Sequence, residues 1–318
     1  IFKVLETNKK DLVKVLILQG GPLESRKGVN LPNTKISLPA LTKKDKEDAL
    51  FAIKHELDWI ALSFVRSKKD IRVLEKLIED NSNYKIPIIA KIEKPEAIEN
   101  MDEIIKKSDG IMVARGDLGL EIPSEEVPLN QKLLVKKAKK ARKPIIIATQ
   151  MMESMINSLT PSRAEVNDVA NSIMDGADAV MLSGETSVGK FPVEVVETME
   201  RIIKRVEDSP LIKSPFEAPA LKSKRLLTKS VCFHAASIAN ELSASAICTL
   251  TNSGYTAWMI SSLRPGSMIL VFTSNKRILS QLNLLWGVKC LFYDNFVSTD
   301  TTIAEVNQMA IESGFIKK

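Results

Sequence analysis

DGIMVARGDLGLEIP, residues 109–123, decides how this chain is read. Its first half, Gly110 to Ala114, is a short apolar run, the signature of a buried strand. Its second half turns polar at once, with Arg115, Gly116 and Asp117 standing where that strand ends. The same sequence of apolar run, polar ending and helical pattern repeats outward in both directions. Upstream, Leu57–Phe64 precedes a helix over about 67–80, and Ile86–Ile92 precedes one over about 95–107. Downstream, a helix over about 124–141 leads to the strand Pro144–Thr149. A helix over about 161–174 leads to Ala177–Ser183, and a long helix fills about 192–208. The strands are continuously apolar, as expected when helices cover them. Five strand-then-helix units in series mean a parallel sheet. An open sheet and part of a barrel both satisfy that pattern.

Outside these units the pattern changes. Residues 1–34 read as short strands with turns, punctuated by Gly20-Gly21-Pro22, Gly28 and Pro32, the tail of a small β domain. Residues 209–224 carry Pro210, Pro215 and Pro219 and read as a linker. A second α/β region fills 225–318. It has strands near 245–250, 268–273 and 288–293 and helices near 225–241, 254–263, 275–285 and 300–313, a small doubly wound pattern.

Composition narrows the class. Hydrophobic residues make up 44% of 318, enough for a sizeable core. The net charge of +6 is mild and spread out. Its densest run, Lys136 to Lys143, reads as a solvated helix face. A positive bias would also suit an anionic phosphorylated ligand or nucleic acid, but no aromatic residues interleave the run, which disfavours nucleic acid. Cys232, Cys248 and Cys290 are odd in number and widely spaced, against a disulfide framework or a structural zinc site, so a reducing, cytoplasmic setting is expected. No apolar run is long enough to span a bilayer. The start at Ile1-Phe2-Lys3 reads as internal to a longer chain.

Chemistry gathers at the strand ends, where parallel α/β folds build their sites. Lys91 and Glu93 end one strand, Arg115 to Asp117 the next, Thr149 and Gln150 a third, and Ser183 to Thr186 a fourth. Glu93 and Asp117 are oxygen donors on adjacent units and suit Mg²⁺ or Mn²⁺. A salt bridge from Glu93 to Lys94 or Arg115 is the competing reading. Lys91, two residues from Glu93, points to the same side and would face an anion, unless it is an ordinary surface lysine. Gly116 allows close backbone approach, and amides at a helix start there could bind a carboxylate or phosphate. Met151, Met152 and Met155 read as packing.

AKIE (90–93), DGIMVARGDLGLEIP (109–123), ATQMMESM (148–155) and DGADAVMLSGET (175–186), with KGVNLP (27–32) and SRAEVNDVAN (162–171), resemble the signature segments of the pyruvate kinase family across essentially the whole chain. The resemblance implies a (β/α)₈ barrel, of which this chain carries strands four to eight in 35–208. It makes 1–34 the end of an inserted β domain and 225–318 most of a C-terminal α/β domain. It implies transfer of a phosphoryl group from phosphoenolpyruvate to ADP. Lys91 then neutralises the transferring group, and Glu93 and Asp117 hold Mg²⁺ or Mn²⁺. The amides of Gly116 and Asp117, with Thr149, hold the substrate carboxylate. Ser183 lies near a water chain that delivers the proton to the enol carbon, and Lys27 reaches the nucleotide phosphates. Arg163 lies at a subunit boundary of a homotetramer, and the helices near 228–241 and 254–263 supply a second contact. The segment Thr251, Asn252, Ser253, Gly254, Tyr255 and Thr256 resembles a loop for a sugar-phosphate effector, although an ordinary helix-capping turn would look the same.

By the same resemblance, barrel strands one to three, the ligands for K⁺ and the last C-terminal strands are not in these residues, and the 318 residues alone are expected to show no turnover. An inactive chain that only binds partners is therefore a second functional reading. A metal-dependent barrel acting on C–C bonds at an enolate is a third, disfavoured by KGVNLP. No nucleic-acid or membrane partner is expected.

Overall fold

The computed structural model describes residues 1–21, 29, 39, 41–209, 216, 218–220 and 222–316. Two units are distinguished, Ile1–Thr34 and Lys35–Lys318. In the first, β1 (Phe2–Thr7) and β2 (Val13–Ile17) form an antiparallel hairpin with Phe2 opposite Ile17 and an irregularity between Val4 and Glu6. Asn8 Oδ1 accepts from the amides of Lys10, Asp11 and Leu12 and so fixes the turn. Lys27 and most of KGVNLP lie outside the described residues.

The second unit contains two parallel sheets. The larger has β3 (Ile60–Leu62), β4 (Ile88–Ile92), β5 (Gly110–Ala114), β6 (Ile145–Ala148) and β7 (Ala179–Met181), in that order. Around it run α1 (Lys43–Lys54), α2 (Lys68–Asn81), α3 (Pro95–Glu99), α4 (Met101–Lys107), α5 (Arg115–Glu121), α6 (Val127–Ala141), α7 (Arg163–Asp175), α8 (Gly184–Ser187) and α9 (Pro192–Glu207). Alternation along the strands divides the side chains. Ile88, Ala90, Ile92, Ile111, Val113, Ile145 and Ile147 join the main core with helix residues such as Ile71, Leu74, Ile104 and Leu134. Ile89, Met112, Ile146 and Ala148 form a separate cluster on the other face. Lys91 shares the parity of Ile89 and pairs in register with Met112, so it belongs to that second face.

Most element boundaries follow the sequence reading, and the departures have local causes. Strand β6 stops at Ala148 because Thr149 and Gln150 adopt left-handed backbone (φ 70° and 54°). Phe64, at φ 54°, ends the first segment early in the same way. The expected helix over 95–107 is two helices, broken where Asn100 donates through Nδ2 to Arg66 O at 2.9 Å. Helix α1 was not anticipated, although Thr42 and Asp45 form a reciprocal capping box at its start.

The smaller sheet, in the order β10 (Val288–Phe292), β9 (Met268–Thr273), β8 (Ala246–Leu250), is covered on both faces. Ile269 and Val271 pack with α10 (Leu226–Glu241), α11 (Tyr255–Leu263) and α12 (Lys276–Gln281). Leu270 and Phe272 pack with α13 (Thr299–Glu312). This second region meets the larger sheet at the amino ends of its strands. Trp59, just before β3, donates to Gln281 O at 3.2 Å, and its ring lies 6.2 Å from Trp258. Arg264, stacked 4.9 Å from the Trp286 ring, reaches Gly176 O at 2.7 Å and Asp178 Oδ1 at 2.9 Å, just before β7. These contacts fall at residues preceding β3 and β7, the end of the strands opposite Lys91 and Glu93.

That contact gives a first expectation. Burial pushes Asp178 up and Arg264 down from their ordinary values, each opposed by the other's charge. Asp178 Oδ2 also accepts from Ile145 N at 2.8 Å. Asp178→Ala strands a buried guanidinium and should cost about 3–5 kcal/mol. Urea unfolding of the native protein reads this directly, and a loss below about 1 kcal/mol would reduce the pair to a surface contact.

Candidate active site

Lys91 and Glu93 leave the carboxyl end of β4 together. Glu93 is 1% exposed, and its Oε2 accepts from Phe64 N at 2.6 Å. The left-handed turn at Phe64 aims that amide at the carboxylate. Oε1 lies 2.7 Å from Lys91 Nζ, an ion pair at contact distance. The pair lacks hydrogen-bond angles, and this buried oxygen has no hydrogen-bond partner. Lys91 Nζ donates instead to Ser63 Oγ at 3.1 Å. Neither alternative partner for Glu93 holds. Lys94 pairs with Glu121 at 2.6 Å, and Arg115 pairs with Asp168.

A buried carboxylate oxygen that faces an ammonium at 2.7 Å without a hydrogen bond also fits a hard divalent cation, which takes one or two carboxylates and completes its shell with water and substrate oxygens. Asp117, exposed in the first turn of α5, has no protein partner among the described residues. No cluster of three or more acidic, histidine or cysteine side chains occurs among the described residues.

Gly116 and Thr149 come together as the sequence suggested. Gly116 N donates to Thr149 Oγ1 at 2.8 Å, and a Cβ at Gly116 would lie 3.2 Å from that hydroxyl. Thr149 is β-branched at φ 70°, a strained conformation that needs outside support. Arg115 supplies it. Its Nη2 donates to Thr149 O at 2.7 Å and Gln150 O at 3.2 Å, while Nη1 grips both oxygens of Asp168 on α7 at 2.7 and 2.6 Å. Arg115→Lys replaces a planar fork with a point charge that cannot serve all these acceptors. Turnover of the native protein should fall by about tenfold to a hundredfold from misplacement of the Thr149 loop. The lysine variant staying within twofold in a steady-state assay would make the fork merely structural.

The remaining site residues are more dispersed. Ser183 is exposed after β7, and its N donates to Glu185 Oε2 at 2.7 Å. Buried Glu185 also accepts from Met152 N at 3.2 Å, tying the loops after β6 and β7. Among the described residues the Ser183 hydroxyl makes no hydrogen bond to Lys91, Glu93 or Thr149. Arg163 is exposed at the start of α7, whose N-terminus is closed by the Ser162–Glu165 capping box. In the loop before α11, Thr251 Oγ1 accepts from Gly254 N at 3.0 Å, and Asn252 O accepts from Asn275 Nδ2 at 3.1 Å. Thr256 Oγ1 accepts from Thr249 Oγ1 at 3.0 Å, and Ser253 is exposed. The three cysteines are free, and burial pushes each thiol up, Cys290 to about 11, so none is a poised nucleophile. Sequence reasoning missed Arg115 with Asp168 as the support of Thr149, and Phe64 as the grip on Glu93.

The architecture is that of a parallel α/β barrel segment followed by a smaller α/β domain. Residues 1–196 match the family described as pyruvate kinase, barrel domain, and residues 229–318 match pyruvate kinase, alpha/beta domain. Pyruvate kinase 2 of Synechocystis sp. is 46% identical over 301 residues, covering 95% of this chain and 50% of that protein. A pyruvate kinase of Geobacillus stearothermophilus is 44% identical over 317 residues, covering 98% and 54%. The crystal structure of a pyruvate kinase from Cryptosporidium parvum shares the fold with a TM-score of 0.84 at 39% identity, covering 91% of this chain and 60% of that one. The chain belongs to the pyruvate kinase family. It spans about half the length of the first two of these relatives. Among the described residues no helix is long and apolar enough to cross a membrane.

Proposed function

We propose that this chain carries the phosphoryl-transfer centre of a pyruvate kinase, moving the phosphoryl group of phosphoenolpyruvate to ADP to give pyruvate and ATP. The observation that carries the reading is Lys91 held 2.7 Å from a buried Glu93 oxygen that has no hydrogen-bond partner. This places a fixed positive charge beside an oxygen suited to a hard cation.

In this reading Glu93 and Asp117 hold Mg²⁺ or Mn²⁺. The bound ion supplies positive charge to the phosphoryl and enolate oxygens. Lys91 adds its own charge to the same oxygens, where catalysis of phosphoryl transfer is mostly positioning and charge stabilisation. The Gly116 and Asp117 amides and the Thr149 hydroxyl orient the substrate carboxylate. A carboxylate arriving there competes with the existing Gly116–Thr149 hydrogen bond. Ser183 helps to pass a proton to the enol carbon after the phosphoryl group has left. Lys27 reaches the nucleotide phosphates.

The same reading divides the chain at 1–34, 35–208, a linker over 209–224, and 225–318. It calls for K⁺, a cytoplasmic setting and a homotetramer with Arg163 at one boundary. It assigns Thr251 to Thr256 to a phosphorylated effector. The test is pyruvate formation by the native protein from phosphoenolpyruvate and ADP, with Mg²⁺ and K⁺. Phosphoenolpyruvate binding without pyruvate formation would leave a binding protein and remove the proposal.

A further inference from the structure

A groove of about 620 Å³ opens between α4 and α6, away from the candidate active site. Lys106, from the last turn of α4, faces Lys136, Lys137 and Lys140 of α6, with Lys143 just beyond that helix. Lys137 is neutralised by Asp102 at 2.6 Å. Among the described residues the other four have no ion-pair partner. The groove is also lined by the apolar side chains Ile105, Leu133 and Ala141.

Lysines near helix C-termini have an ordinary explanation, because they offset the helix dipole. That offset is too small here. Two helix ends contribute about half a negative charge each, so about three positive charges remain uncompensated around one concavity. Lys143 is half-buried, and burial pushes its pKa down; Asp109 opposes that shift and Lys85 adds to it. Lys106, Lys136 and Lys140 are exposed and Lys143 is half-buried, and all four line one hollow together with Ile105, Leu133 and Ala141.

The groove is also on the opposite side of the sheet from the chemistry. Lys106 precedes β5 and Lys143 precedes β6, at the amino ends of the strands. Lys91 and Glu93 stand at the carboxyl end, about 15 Å away along a five-residue strand. A ligand in the groove therefore touches none of the residues assigned to phosphoryl transfer.

We propose that this groove binds a small polyphosphorylated anion, with the lysines on its phosphates and its less polar part against Ile105, Leu133 and Ala141. Its volume suits a small-molecule ligand. No aromatic side chain lines it, so it offers no stacking platform for nucleic acid bases.

The test is calorimetric titration of the native protein with inorganic tripolyphosphate in metal-free buffer. Three proteins are compared, the unaltered one, Lys136→Gln/Lys140→Gln, and the control Lys43→Gln/Lys46→Gln. The control removes the same charge from the exposed face of α1. The groove variant should bind at least about tenfold more weakly, because each lysine removed loses a charge-assisted contact. The control should change by less than about twofold. Melting curves matching the unaltered protein show that both variants are folded. Equal weakening in both would assign the binding to net charge and overturn the site. So would an unchanged groove variant, or no binding at millimolar tripolyphosphate. A single-stranded oligonucleotide that binds through Lys136 and Lys140 where tripolyphosphate does not would overturn it in favour of nucleic acid.

Discussion

Lys91→Met lowers turnover of the native protein by about a hundredfold to a thousandfold while leaving divalent-cation binding intact. Methionine keeps a long, flexible, largely apolar stem on the inner face of β4 and removes only the charge. Loss of one preorganised donor at developing negative charge is worth about that factor in other enzymes. The cation arm has an independent basis. Lys91 Nζ and a metal ion both seek the same Glu93 oxygen, so removing the ammonium relieves repulsion. Mn²⁺ affinity should therefore stay level or rise. Without metal, Glu93 becomes a buried charge lacking its ion-pair partner, and the variant should be less stable than the parent. Added Mn²⁺ should recover much of that loss, because a ligand that binds only the folded state stabilises it. The measurements are steady-state turnover, and melting temperature with and without Mn²⁺. Turnover within about tenfold of the unaltered protein would end the role given to Lys91.

The parts of this site that lie along one strand are readable from the amino-acid order alone. Lys91 and Glu93 are two residues apart, and strand alternation puts them on one face. The apolar run Gly110–Ala114 announces its own boundaries. The parts made between distant segments are not readable in that way. Asp168 lies 53 residues beyond Arg115, on a helix whose pattern reports only its packed face. The left-handed turns at Phe64, Thr149 and Gln150 fall on residue types that rarely adopt them, so sequence gives no warning. Those turns decide the chemistry, since they aim the Phe64 amide at Glu93 and end β6 one residue before Thr149. The covering of the strands' amino ends by the second α/β region is equally hidden. It depends on Trp59, Asp178 and Arg264, each unremarkable in its own stretch. Helix α1 is a different case, because Thr42 and Asp45 stand at capping-box spacing and are legible.

Glu93→Gln should produce a contrasting pattern, with cation binding and turnover lost together. The substitution preserves shape, and the amide oxygen can still accept from Phe64 N. It removes the charge from the buried oxygen that has no hydrogen-bond partner and can turn an NH₂ group toward Lys91. Replacing an outer-shell partner of a metal commonly costs about ten- to a hundredfold in affinity, and a direct ligand should cost at least as much. Mn²⁺ affinity should therefore weaken at least about a hundredfold, and turnover should fall on the order of a thousandfold at fixed metal. Asp117→Asn provides the scale. Asp117 is exposed, where solvent screens its charge, so a smaller loss of affinity is expected. Titration of Mn²⁺ by electron paramagnetic resonance separates the cases. If the glutamine variant bound Mn²⁺ within about twofold of the unaltered protein, Glu93 would be only an anchor for the Phe64 turn and the Lys91 ammonium. The cation would then have to be held elsewhere. Combined loss in Glu93→Gln, set beside retained binding in Lys91→Met, would assign the two members of one ion pair to different steps of the same reaction.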